Sequence, residues 1–471
     1  MAATPPYRNP PQAYVLLVGF AATALIGLLV ARTLQSGQTG LIAAACFSAV
    51  ISAAMVISWG AEAAQFFISQ GFAVAIIALL QVLPEFMVEA VIAWRGDVKN
   101  MLANATGSNR LLIGLGWPLI FFTADITSRI RHGRGVGAVV LRSVNVVEML
   151  SLLIASSYYL KLLATGALTV VDGVLLVGMY ATYMIVLSRL PEEEEEGKED
   201  LVSPARLLAE IKSPVTSRLA VLGTFLIGGV VMAFVSAPFV DSLKQVAAAW
   251  GVSEFAFIQW VAPFLSEFPE KATAVNWSLK IRLAPMAMIN MISSTVSQYT
   301  LLVGMIPLVY ATSFWVGNIH EVQTLHGLPI VPMVTRLADG QLHDLRVEVF
   351  LSWAMTLLGC AQLAKMRITP GNAATMLVIW LAQFLAGPLE TRTGIPAQTQ
   401  RWGEGIVCVV LAVIEVLRWR HQIHLARALQ QTAAHVAGRP VQKLSSDESL
   451  NRSRAVPRQH VLWAPQERNP A

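Results

Sequence analysis

Apolar runs of about twenty residues recur along nearly the whole chain, and they constrain its fold more than any other feature. Twelve read as membrane spans, near 13–31, 41–59, 66–94, 101–123, 136–160, 168–188, 216–238, 254–279, 285–310, 345–364, 372–389 and 403–420. Lipid offers backbone amides no partners, so runs of this kind must satisfy their own hydrogen bonds as helices. Composition agrees: 55% of the 471 residues are hydrophobic and 13% charged, with a mean hydropathy of +0.58, outside the usual range of soluble domains. The expected fold class is an all-α polytopic membrane protein. The first run does not read as a cleaved signal peptide, because Arg8 is the only charge ahead of it and further spans follow at once.

The net charge of +5 matters less than its placement. Arg129, Arg131, Arg134 and Arg142 surround one loop, Arg206, Lys212 and Arg218 lie in another, and Arg418, Arg420, Arg427, Arg439 and Lys443 end or follow the last span. With twelve spans all three clusters fall on one side, so the positive-inside rule places both termini in the cytoplasm. A bacterial plasma membrane is the expected location. Cys46, Cys360 and Cys408 sit in separate apolar runs without metal-ligand spacing and read as packed thiols.

The most polar internal stretch, Arg189 to Arg218, divides the chain. Its run Glu192 to Glu196 reads as a solvated, self-repelling linker rather than a cation sensor. The expected organisation is an added helix in 1–40, a first unit in 41–190, an acidic cytoplasmic linker in 191–215, a second unit in 216–390, a further added helix in 391–420 and a disordered polar tail in 421–471. The two units look like copies. LLQVLPEFMVEAVIAW (79–94) and APFLSEFPEKATAVNW (262–277) each carry a Pro-Glu pair in mid-span. Each is followed by a polar patch and then by a similar apolar stretch, LLIGLGWPLI (111–120) and LLVGMIPLV (301–309). Five spans per copy, an odd number, turns the second upside down. Inverted five-helix repeats with broken helices, plus one helix at each end, are an architecture of secondary transporters with a midplane site.

Pro84 and Pro269 each remove a backbone donor and break or kink a helix, freeing backbone groups that can line an ion site. Glu85 and Glu270 follow them directly, with Glu89 and Glu267 one helical turn away. A carboxylate at mid-bilayer costs about 2.5–3.5 kcal/mol on insertion scales, so it is expected to face a cavity, a partner or an ion. Four carboxylates are thus expected to converge, joined by Asn104, Ser108, Asn109 and their counterparts in the second copy. Hard oxygen ligands of this kind suit calcium or sodium. A role in helix packing alone explains any one of these polar residues, but explains less well a Pro-Glu pair with a following patch that occurs twice.

LPE at 83–85 with NATGSN at 104–109 resembles the first alpha-repeat of the sodium/calcium exchanger superfamily, and SEFPE at 266–270 with INMISSTVSQ at 289–298 resembles the second. The resemblance implies ten core helices, alternating access driven by an ion gradient, Glu85 and Glu270 as central metal-binding carboxylates, a hydroxyl oxygen from Ser108 and support of the broken helix by Asn104. In the second copy two registers are open. Distance from Glu270 selects Asn290 with Ser293 or Ser294, whereas matching TGSN to TVSQ selects Ser297 and Gln298.

The departures are informative. Val82, with Gln81 beside it, stands where the family has Ser or Thr, and Glu267 takes that place in the second copy. The last Asn of the family's first motif is Leu112. Arg110 and Lys271 bring fixed cations to the patch, to be neutralised by Glu267 for Lys271 and by Glu89 or Glu148 for Arg110. Arg110 either stands in for a bound cation, pins a carboxylate, or turns away to pair within the bundle. Four carboxylates against two cations leave two negative charges, which one divalent ion or two protons would balance.

The expected function is therefore a secondary active antiporter moving calcium or another cation against sodium or protons. Its expected partners are inorganic cations and the lipid bilayer, with no nucleic acid and no cofactor beyond the transported ion. A second reading, motivated by Leu112, Arg110 and Lys271, is an exchanger-like scaffold or sensor that does not transport. An enzyme is not expected: Walker A, HExxH and GxSxG sequences are absent. His320, Glu321 and His326 precede the tenth span, where scattered histidines are usually solvated.

Overall fold

The computed structural model describes residues 10–33, 38–67, 79–142, 145–189, 197–336 and 342–420. The run Glu192 to Glu196 and the tail 421–471 lie outside them, as do residues 68–78 of the third expected span. The described residues are mostly helical. Among the described residues seven helical stretches are long and apolar enough to cross a membrane, and Pro370–Ala386 is a shorter apolar helix.

Two series of helices follow one another. The first comprises α2 (Thr39–Ala64), α3 (Leu83–Trp94), α4 (Val98–Leu111), α5 (Trp117–His132), α6 (Val146–Thr165) and α7 (Val170–Leu187). After a short α8 (Ser203–Ala209), the second comprises α9 (Pro214–Ala249), α10 (Glu254–Ser266), α11 (Phe268–Leu279), α12 (Ala284–Ser297), α13 (Val303–Trp315), α14 (Arg346–Leu363) and α15 (Pro370–Thr393). Helices α1 (Pro10–Thr33) and α16 (Ala397–Trp419) flank the two.

The breaks lie where proline removes a donor. Pro84 occupies the first turn of α3 and Pro269 the first turn of α11, so each helix starts anew at mid-stretch, after Val82 and Glu267. The next helix has the same plan in both series. Fourteen residues of α4 and fourteen of α12 each run into a five-residue π turn, Leu112–Gly116 and Gln298–Leu302, before the helix continues. Such turns widen a helix locally and concentrate at functional sites.

Short strands cross-link the series. β1 (Val139–Val140), between α5 and α6, pairs with β7 (Arg367–Ile368), between α14 and α15. β2 (Ala167–Thr169), between α6 and α7, pairs with β4 (Leu328–Pro332), between α13 and α14; β4 also pairs with β3 (Gln323–Leu325). β5 (Val334–Arg336) pairs with β6 (Leu342–Asp344).

Helices α2 and α9 approach closely along small residues. A Cβ on Gly228 would lie 2.9 Å from the Ala53 carbonyl oxygen, so only glycine admits this spacing. α1 packs on the same pair, and α16 packs on α14 and α15. Cys46, Cys360 and Cys408 are buried free thiols.

Two expectations are corrected. The fifth expected span, 136–160, starts as a helix only at Val146, because β1 takes up the preceding segment and residues 133–137 include three glycines. The region expected as linker folds in part: Ala205, Leu208 and Ala209 of α8 are buried in a small apolar cluster with Trp59, Ala63 and Val221. Lys280 and Arg282 both bond to Asp200 beside it.

Candidate cation site

The π-turned helices α4 and α12 bring the two polar patches to the broken helices. Glu85, Glu89, Glu267 and Glu270 are all fully buried, as are Asn104, Ser108, Asn109, Asn290, Ser294, Ser297 and Gln298. At the centre is one amide. Gln298 Nε2 donates to Glu85 Oε2 at 2.7 Å and to Glu267 Oε1 at 2.9 Å, linking a carboxylate of each series. Ser108 donates a hydrogen bond to the same Glu267 oxygen. The other oxygen, Oε2, receives the Lys271 ammonium at 2.5 Å across one helical turn. Both oxygens of Glu267 thereby have a hydrogen-bond partner.

The neighbouring acceptors are not. Glu85 Oε1, Glu89 Oε1, both oxygens of Glu270, and the side-chain oxygens of Asn104, Asn290 and Gln298 make no hydrogen bond among the described residues. Asn104 Nδ2 donates to Glu89 Oε2 at 2.7 Å, and the Ser294 hydroxyl adjoins Glu270. Buried acceptors are seldom left without donors. A gathering of them, anionic and neutral together, has the chemistry of a hard-cation site.

The two helices have equal lengths, which aligns them residue by residue. Counted from the first residue of each helix, Asn104 matches Asn290, Ser108 matches Ser294 and Leu112 matches Gln298. Leu112, which has no side-chain oxygen, thus matches the bridging amide Gln298. Ser293 turns aside to accept from Tyr183 at 2.9 Å, and Ser297 adjoins Tyr180. Asn109 donates to Tyr159 at 3.1 Å.

Arg110 leaves the patch. Its guanidinium goes neither to Glu89 nor to Glu148 but to Glu348 on α14, at 2.6 Å, and it also bonds to Gln383 at 3.3 Å and to the Thr106 carbonyl at 3.0 Å. Its face lies 5.1 Å from the Trp260 ring centroid. Glu348 is held further by Gln259 at 2.8 Å and by Arg401 of α16. The reason is geometric: a side chain two residues after Ser108 points about 200° round the helix from it. The charge count changes accordingly, with Glu348 taking Arg110 and only Lys271 left to offset the four central carboxylates.

The carboxylates also gather less tightly than expected. Among the described residues no three His, Cys, Asp or Glu side chains stand close enough to hold one metal ion, at the centre or around His320, Glu321 and His326. A cation here would use one or two carboxylates with neutral oxygens.

Sequence reasoning gave no site role to several residues that the structure brings together. Glu62, almost fully buried near the end of α2, accepts from Thr273 at 2.7 Å. Gln81 receives Asn290 Nδ2 at 3.1 Å and donates to Ser58 at 3.2 Å and Thr273 at 3.4 Å. These bonds join Asn290, Gln81, Thr273 and Glu62 in a polar chain from α12 to α2. An acid inside the apolar stretch WGAEAA (59–64) was a usable signal for Glu62. Nothing local marked Glu348 as the partner of Arg110, 238 residues away.

The family described as sodium/calcium exchanger protein matches this chain over residues 37–189 and 220–417. Among solved structures, that of the H+/Ca2+ exchanger CAX is 27% identical, covers 90% of this chain and 99% of its own, and superposes with a TM-score of 0.77. The sodium-calcium exchanger NCX_Mj is 17% identical in a structure soaked with 2.5 mM Na+ and 10 mM Sr2+, covering 78% of this chain and 97% of its own with a TM-score of 0.46. No curated protein matches.

Proposed function

Because this chain belongs to the sodium/calcium exchanger protein family, we propose that it is a multi-pass membrane antiporter that exchanges calcium against protons at a site built from both halves. The carrying observation is the pair of buried carboxylates, Glu85 and Glu270, with oxygens that make no hydrogen bond among the described residues. Asn104, Asn290 and Gln298 supply further oxygens in the same condition, and Ser108 and Ser294 add hydroxyls beside them. Protons are the counter-ion we favour, since the solved structure with the higher TM-score is that of an H+/Ca2+ exchanger. Calcium and protons compete for the same carboxylate oxygens, which is the coupling an antiporter requires.

The architecture proposed is twelve crossings: two five-span units of opposite orientation, 41–190 and 216–390, with α1 and α16 added. The strand pairings support the inversion. The loop between α5 and α6 pairs with the one between α14 and α15, and the loop between α6 and α7 pairs with the one between α13 and α14. Corresponding loops of parallel units would lie on the same side of the membrane, and these pairings would then have to cross it. Alternating access follows if α2 and α9, joined along small residues, shift against the remaining helices. With both termini cytoplasmic, a bacterial plasma membrane is the location proposed.

The test is uptake into liposomes. Purified protein should accumulate calcium against an outward proton gradient, and Glu85→Gln and Glu270→Gln should abolish uptake while remaining folded. A folded wild type that moves no calcium under proton or sodium gradients would overturn the antiporter. Lys271 and Leu112 would then favour an exchanger-like scaffold.

A further inference from the structure

The four central carboxylates fall into two kinds. Glu85, Glu89 and Glu270 each keep at least one oxygen that makes no hydrogen bond among the described residues. Glu267 keeps none, with Ser108 and Gln298 on one oxygen and Lys271 on the other. Lys271 is itself 96% buried. Its ammonium comes from the residue next to Glu270 and reaches back one turn to the helix break, among the candidate ligands. At the matching break of the first half stands Val82, with neither carboxylate nor cation. The second half thus carries a carboxylate and a neutralising cation as a matched set.

We propose that Lys271 is a tethered cation occupying the place of a transported monovalent ion, so that the site excludes sodium and turnover needs none. This rests on the antiporter reading and deepens it by naming what sets ion selectivity. An ammonium held at 2.5 Å neutralises Glu267 permanently. It also cannot leave with the cargo, because it is bonded to the chain. Removing it uncovers a buried carboxylate beside the Ser108 hydroxyl and the open Gln298 Oε1. A buried charge stripped of its partner is strongly unfavourable. A small hard cation with oxygen ligands is what such a cluster then takes up.

The decisive experiment is equilibrium binding of radioactive sodium to the purified full-length protein in detergent, which does not depend on transport. The wild type and Lys271→Arg should show no saturable sodium binding, and Lys271→Ala should bind about one sodium per chain. In liposomes, replacing sodium by choline should leave wild-type calcium uptake within about twofold, but should change uptake by Lys271→Ala about tenfold. Saturable sodium binding by the wild type, or none by folded Lys271→Ala, overturns the tethered-cation proposal whether or not calcium moves. Should Lys271→Ala fail to fold, the wild type still decides, since sodium competing with calcium would sink the proposal. A wild type without calcium flux but with the expected binding pattern would instead overturn the antiporter reading.

Discussion

Arg110 and Glu348 form a 2.6 Å ion pair in which each side chain is 1% exposed. The pair joins α4 of the first half to α14 of the second, and Arg401 extends it to the added helix α16. Truncating one member of a buried pair leaves the other charge stranded, at a cost of about 3–5 kcal/mol. Arg110→Ala is therefore expected to lower the thermal unfolding midpoint in detergent strongly. Arg110→Met combined with Glu348→Gln should recover part of the loss. If the single variant unfolds like wild type, the pair is not structural.

Gln298 plays the corresponding part at the centre. Its one amide nitrogen holds Glu85 and Glu267 together, and its oxygen makes no hydrogen bond among the described residues. Gln298→Leu should weaken calcium binding at least about tenfold, equivalent to about 1.4 kcal/mol. The control is Gln383→Leu, an amide that bonds Arg110 instead. It should leave calcium affinity unchanged, and calorimetry on the two variants would separate the roles.

Calcium binding should release protons. A carboxylate must be deprotonated to ligate a metal, so affinity falls as pH falls and rises as pH rises. Where Glu85 and Glu270 hold protons, each unit of pH increase should raise apparent calcium affinity by up to about tenfold per proton displaced. Adding calcium to weakly buffered protein should acidify the solution, less so in Glu270→Gln. A pH-independent affinity would contradict exchange against protons.

Gly107 faces the Gln259 backbone so closely that a Cβ would overlap its carbonyl oxygen. Backbone of α10 cannot swing aside as a long side chain would. Gly107→Ala is expected to cost about 1–3 kcal/mol through overpacking, read as a lower unfolding midpoint. Gly178→Ala, with nothing within 4 Å of its Cβ position, should be neutral.

Much of this protein was legible in its sequence because the relevant physics is local. Long apolar runs become helices in lipid whatever their neighbours, and Pro84 and Pro269 break helices by removing their own amide donors. The repeated Pro-Glu pair and polar patch pointed to Glu85, Glu270, Ser108 and Asn104, and the one-turn spacing of Glu267 and Lys271 anticipated their bond. Direction in space was not legible. That Arg110 turns from the patch to Glu348, that Gln298 rather than Asn290 joins Glu85 to Glu267, and that Gln81 and Thr273 lead on to Glu62 all depend on helix packing. A sequence sets which charges a membrane must accommodate. Only tertiary structure, by the rotation and approach of helices hundreds of residues apart, settles which carboxylates are neutralised and which keep oxygens without a hydrogen bond.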